Sequence, residues 1–187
     1  MRFAGALVAA TVLLASPLAG EVTASSEAGF VSRNTAQVPA SAQSAWDALV
    51  APSGWWNSEH TYSGDAANLS LTPEAGECFC ERLPVAKGGS AGQRPGSVEH
   101  MRVIHADPGK MLRLSGGLGP LQSEAVTGTL TITLKPADGG TQIVFEYVVG
   151  GHMRYKTAEI GPLVDKVLGE QLDRLAVRLG RAGLSPR

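Results

Sequence analysis

Between Ile160 and Leu179 run the apolar residues Ile160, Leu163, Val164, Val167, Leu168, Leu172, Leu175 and Leu179. Steps of three, four and seven draw one stripe along an α-helix, with Asp165, Lys166, Glu170, Asp173, Arg174 and Arg178 off it. Upstream the period changes to two. Val126, Leu130, Ile132 and Leu134 share one face of a strand, and Thr127, Thr129, Thr131 and Thr133 share the other, which predicts one dry face and one wet face. Asp138-Gly139-Gly140 is a turn signal, and Ile143, Phe145, Tyr147 and Val149 then line one face of the next strand. Gly161-Pro162 marks the start expected for the closing helix. That helix must bury its stripe against the preceding sheet. A long helix held by a curved sheet makes a container, and a container implies a ligand.

The rest of the pattern is shorter in period. Residues 25–28 read as a frayed leader, and Phe30 to Val38 as the first strand. Pro39 and Ser41 open a helix running through Val50, with Ala42, Ala45, Trp46 and Leu49 inward, and Pro52-Ser53-Gly54 ends it. A loop from Trp55-Trp56 to Asp65 leads into strands at Asn68–Leu71, Glu77–Leu83, Ser97–Ala106 and Lys110–Ser115. Gly-rich loops at 87–96 and 116–120 turn the chain. The order is strand, helix, a meander of about six strands, then the long helix. This predicts an α+β domain with an antiparallel sheet of about seven strands and its helices on one face.

The N-terminus has a different character. Arg2 precedes the apolar run Ala4 to Leu14, Ser16-Pro17 breaks it, and small residues follow at Ala19, Gly20 and Ala24. That layout predicts a secretory signal peptide over 1–24, cut after Ala19, Gly20 or Ala24, with the last weakly favoured. The run is shorter than the ~20 residues of a membrane span, and no other segment approaches that length, so no transmembrane segment is expected. Residues 25–187 then form a single domain. Arginines outnumber lysines eleven to five, the habit of a GC-rich bacterial genome, so the expected location is the periplasm or the exterior. With 16 basic and 17 acidic residues and no basic stripe, nucleic acid is not an expected partner.

Cys78 and Cys80 flank Phe79 on one strand. An even pair in an oxidising compartment points to a disulfide. Cα atoms two apart on a regular strand lie ~6.5–7 Å apart, at the limit of what a disulfide spans. A disulfide, two inert thiols, and metal or redox work all remain open. The histidines are His60, His100, His105 and His152, and none makes a standard zinc spacing, so no metal is expected. Strand pairing would bring Glu81 near Glu99 or His100, the kind of acid–base pair that isomerases and cyclases use. No phosphate-cradling loop of the Gly-x-x-x-x-Gly-Lys-Ser/Thr type is present, and no cofactor is expected.

The order of elements, the Trp-rich end of the first helix, the strand junction Asp107-Pro108-Gly109-Lys110-Met111-Leu112 and the closing helix resemble the START-like, or SRPBCC, superfamily. Its relatives include polyketide cyclases and homologues of a heat-shock ATPase activator. Trp55 to Gly64 and Gly76 to Glu81 resemble a secreted bacterial branch of it. The resemblance, over about Phe30 to Leu179, implies a helix-grip fold: a curved antiparallel sheet wrapped round the C-terminal helix, with an apolar tunnel between. Trp55, Trp56, His60, Tyr62, Leu114 and Tyr147 are the residues expected to line that tunnel. The co-chaperone role does not carry over, because a secreted chain cannot meet a cytosolic ATPase.

The expected function is binding of a hydrophobic small molecule or lipid in that cavity. The alternative is a cyclase-, dehydratase- or isomerase-type enzyme whose weak catalytic candidates are Glu81 and His100. A third reading, a protein-interaction module, requires a large exposed apolar patch.

Overall fold

The computed structural model describes residues 19–90 and 92–181. Eight strands form one sheet: β1 (Ala19–Ser26), β2 (Gly29–Val38), β3 (Leu69–Leu71), β4 (Cys78–Leu83), β5 (Gly96–Asp107), β6 (Met111–Ser115), β7 (Ala125–Ala137) and β8 (Gly140–His152). Two helices, α1 (Ala42–Leu49) and α2 (Thr157–Arg178), complete the α+β architecture. The spatial order is β1-β2-β8-β7-β6-β5-β4-β3, and every neighbouring pair is antiparallel. No described helix is long and apolar enough to cross a membrane.

The sheet holds eight strands rather than about seven. The extra strand is β1, which pairs with β2 from Ala19↔Thr35 to Ser26↔Gly29 with a bulge between Val22 and Ala24. Ser25 and Ser26, expected in a frayed leader, end this strand, and residues 27–28 turn into β2. Their polar, small-residue composition hid an edge strand whose partner supplies the order. Residues 1–18, which hold the apolar run of the expected signal peptide, lie outside the described residues.

The alternating strands behave as their patterns require. Leu130, Ile132 and Leu134 of β7 are buried against Ile143, Phe145 and Tyr147 of β8, with the threonines on the opposite face. Ser41 caps α1 by accepting from the Ser44 N–H at 3.1 Å, and Ala45, Trp46 and Leu49 bury its inner face.

Helix α2 starts at Thr157, four residues before the expected Gly161, so Pro162 lies inside it. Pro162 is the sixth residue of the helix, past the first turn, so its missing N–H leaves the Ala158 carbonyl without the usual intrahelical donor. The helix packs chiefly on β2 and β1. Gly161 and Gly169, two turns apart, are the points of close approach. A Cβ on Gly161 would lie 3.3 Å from the Phe30 ring, and one on Gly169 would lie 2.8 Å from Asn34 Oδ1. A polar lock joins the same two elements: Asp165 Oδ1 accepts from Ser32 Oγ at 2.7 Å and from Asn34 Nδ2 at 3.0 Å. Ser32 and Asn34 are fully buried, so their bonds to Asp165 satisfy groups that burial would otherwise penalise. Ile160, Val164, Leu168, Leu172 and Leu175 are buried, but Leu163 is 61% exposed. The apolar stripe is wider than the sheet contact, and its outer edge faces something else.

Candidate functional site: a cavity with a Glu–His floor

The outer edge of the α2 stripe faces a cavity of about 510 Å³. Ile160, Leu163, Val164, Val167 and Leu168 form one wall. Trp56 and residues 59–62 form a second, and Leu118, Gly119 and Pro120, entering the 3-10 turn Gly119–Ser123, form a third. His100, from β5, lies at the buried end.

His100 reaches the cavity because β5 carries a bulge. Phe79 pairs with Met101, but the next residue, Cys80, pairs with Glu99, so His100 has no partner on β4. Uninterrupted pairing would set His100 opposite Cys80 on the outer face. The bulge instead leaves His100 and Met101 both buried, two consecutive inward side chains. Strand β4 is contracted at the same point. The Cys78 and Cys80 Cα atoms are 5.4 Å apart and the two residues form a disulfide on the strand's outer side. Of the three readings open for this pair, the disulfide is the one present. A regular strand would hold these Cα atoms at the limit of a disulfide's span, but β4 is irregular at Phe79.

Glu81, two residues on, faces inward and is 1% exposed. Its Oε2 lies 2.9 Å from His100 Nε2 and accepts from the Tyr62 N–H at 3.0 Å, while Oε1 accepts from the Ser63 N–H at 2.5 Å. Burial pushes the Glu81 carboxyl up, but hydrogen bonds from Ser63, Tyr62 and His100 outweigh it and hold the group below the ordinary carboxylate range. Burial depresses His100, only partly opposed by the neighbouring Glu81, so its ring loses its proton more easily than a free imidazole. An ionised carboxylate only accepts, so Nε2 carries the N–H and Nδ1 of the neutral ring carries the lone pair. The ring is fixed by stacking on Phe79, with centroids 4.9 Å apart, and by Tyr62 at 5.8 Å.

The loop from Gly54 to His60 is strapped to α2. Asn57 Nδ2 and His60 Nε2 bond Glu170, and the Asn57 N–H donates to Gln171 Oε1 at 2.8 Å. Arg174 Nε donates to the Trp55 carbonyl at 2.8 Å. Burial raises Glu170, but Asn57, His60 and Arg174 hold it net below its ordinary range.

Of the residues expected to line a tunnel, Trp56, His60 and Tyr62 line this cavity. Trp55, Leu114 and Tyr147 do not. Trp55 turns into the core, donates from Nε1 to the Ala48 carbonyl and meets Phe145 edge-on. Leu114 is a sheet core residue. Tyr147 is fully buried, donates to the Gly116 carbonyl at 2.8 Å and accepts from the Leu118 N–H at 3.1 Å. Burial pushes its hydroxyl to about 12, so it stays protonated and ties down the loop forming the third wall. Glu99 is exposed and paired with Arg102, and His105 and His152 are exposed. Among the described residues no group of three or more His, Cys, Asp or Glu is arranged to hold a metal. The aliphatic lining residues not foreseen from the sequence are Leu163, Val164, Val167, Ile160, Leu168 and Leu118. The width of the α2 stripe was the available signal for the five on that helix. Leu118, in a Gly-rich loop, carried none.

No protein-family model and no curated protein matches the chain. Solved structures do. A protein from Mesorhizobium loti is 19% identical with a TM-score of 0.55, over 82% of this chain and 99% of that one. One from Rhodobacter sphaeroides is 20% identical with a TM-score of 0.55, over 86% and 97%. An uncharacterised protein from Rhizobium leguminosarum is 19% identical with a TM-score of 0.56, over 89% and 100%. At this identity the likeness is one of fold.

Proposed function

We propose that this protein binds a hydrophobic small molecule or lipid in the cavity between α2, the Trp56–Tyr62 segment and the loop at Leu118, and that it does so outside the cytoplasm as a helix-grip protein of the START-like class. The observation that carries the binding reading is the cavity itself. Its volume of about 510 Å³ falls within the ~300–1,000 Å³ of small-molecule sites. Five aliphatic side chains of α2 form one wall, and the imidazole at the floor is the polar feature a ligand would meet there. The antiparallel sheet with one long helix laid against it supports the helix-grip assignment. The Cys78–Cys80 disulfide and the N-terminal sequence support an oxidising, extracytoplasmic location.

The test is a titration with a neutral fluorescent probe, N-phenyl-1-naphthylamine, against the native protein and a Val167→Trp variant. Val167 is half-buried on the cavity wall, so a tryptophan there fills the space without displacing sheet contacts. Saturable one-site fluorescence enhancement in the native protein, lost in the variant, is the expected result. Equal enhancement in both would defeat the reading.

The Glu81–His100 pair favours a second reading, acid–base catalysis on a bound ligand. Glu81 fixes the tautomer that leaves Nδ1 as a base, a requirement of general base catalysis. Turnover of a bound, enolisable ligand that disappears in His100→Phe protein still able to bind it would establish that role.

A further inference from the structure

The cavity's polar groups narrow the ligand further, on the premise that the cavity is a ligand site. Most are already engaged with the protein. Trp56 Nε1 donates to the His60 carbonyl at 3.0 Å, and Thr61 Oγ1 donates to the Ser58 carbonyl at 2.7 Å. Tyr62 Oη lies within hydrogen-bond distance of the Gly119 carbonyl and of Gln122 Oε1. His60 Nε2 is held by Glu170. At the buried floor, His100 uses Nε2 on Glu81, and among the described residues no group donates to its Nδ1.

We propose that the cavity selects an apolar molecule carrying a neutral hydroxyl, such as an alcohol, phenol or enol, whose O–H donates to Nδ1 of His100. The ring's orientation follows from Glu81, which can only accept from Nε2, and from the Phe79 and Tyr62 rings that flank the imidazole. A bare acceptor at the end of an apolar chamber rewards a donor and leaves an ether or hydrocarbon without a matching partner.

The same site discriminates against carboxylates. The lining contains no lysine or arginine among the described residues, and it contains Glu59. Glu81 lies directly behind His100, and Glu170 lies behind His60. An anionic head group placed at the floor would meet the Nδ1 lone pair of His100 and, behind it, the buried like charge of Glu81, with no lysine or arginine in the lining to offset its desolvation. Fatty acids are therefore disfavoured, although their chains would suit the walls.

Calorimetric titration of the native protein at pH 7.5 with 4-pentylphenol, 4-pentylanisole and 4-pentylbenzoate tests this. The expected order is phenol tightest, anisole weaker by about tenfold, benzoate weaker still. In His100→Phe, which keeps an aromatic ring of similar size, phenol and anisole should bind alike. If phenol and anisole bind equally to the native protein, or benzoate matches phenol, the hydroxyl assignment is wrong and the cavity reading stands. If none of the three binds, the cavity reading fails with it. Should the variant not fold, ¹⁵N spectra of the native protein decide. The Nδ1 resonance of His100 should move on adding the phenol and stay in place with the anisole; identical responses overturn the proposal.

Discussion

Glu81 Oε2 lies 2.9 Å from His100 Nε2, and the contact exists because His100 is the unpaired residue of a bulge opposite Phe79 and Cys80. The relationship couples strand geometry to the electrostatics of the cavity floor. A one-residue irregularity converts an outward histidine into an inward one, and an inward carboxylate then sets its tautomer.

The pair makes stability fall on acidification in two stages. His100 has a folded value below its ordinary 6.5, so the unfolded chain binds its proton first and stability drops as pH falls below about 6.5. Glu81 has a folded value below its ordinary 4.5, so its contribution is present above that value and is lost as pH falls through the lower folded one. Denaturant unfolding between pH 8 and pH 5 should show the His100 loss, and extending the series below pH 4 should show that of Glu81. The stage near pH 6.5 should shrink in His100→Phe, and an unchanged profile would count against the pair.

Asp165 should be a stability residue with little influence on binding. Asp165→Ala leaves the buried Ser32 and Asn34 side chains without their shared acceptor. A loss of about 1–3 kcal/mol is expected, read from urea unfolding, with probe binding retained. Stability equal to the native protein's would show that the lock does not hold α2 to β2.

The Cys78–Cys80 bridge should contribute about 1–2 kcal/mol, since a loop this short restricts few unfolded conformations. Its larger effect should be local. Cys78→Ser/Cys80→Ser protein is expected to let β4 extend towards regular pairing, which removes the reason for His100 to point inward. Loss of the phenol-over-anisole preference with retained probe binding is the outcome to look for in calorimetry. An unaltered preference would separate the bridge from the bulge.

Processing should spare β1. Val22 to Ser26 are paired with Ser32 to Gly29, so cleavage after Ala24 would remove most of an edge strand that packs beside α2. If the protein is exported as proposed, the intact mass of its mature form is expected to correspond to cleavage after Ala19 or Gly20, which keeps Glu21 to Ser26 of β1. A mass starting at Ser25 would show that the sheet is completed without β1.

Much of the fold was legible because its period is strong. The α2 stripe and the β7–β8 alternation located the helix and the hairpin. β1 was not legible, since Ser, Ala and Gly carry no strand pattern of their own and its order comes from β2. In the site, Trp56, His60, Tyr62, Glu81 and His100 were named from sequence, yet Trp55, Leu114 and Tyr147 turned out to be core. Residues spaced by strand parity cannot reveal a bulge, and the bulge is what admits His100. The same irregularity defeated the geometric argument against the disulfide. Leu163 and Val167 fit a helix core by spacing alone, because periodicity reports an apolar face without saying whether protein or a void lies against it.

The most direct test of the binding claim is methyl NMR of the native protein titrated with 4-pentylanisole, a neutral ligand independent of the hydroxyl assignment. Saturable shifts concentrated on Ile160, Leu163, Val164, Val167 and Leu168 are expected, with the exposed Ile104 and Val148 unaffected. Shifts scattered over Ile104 and Val148 as strongly as over α2, or none at all, would contradict that claim.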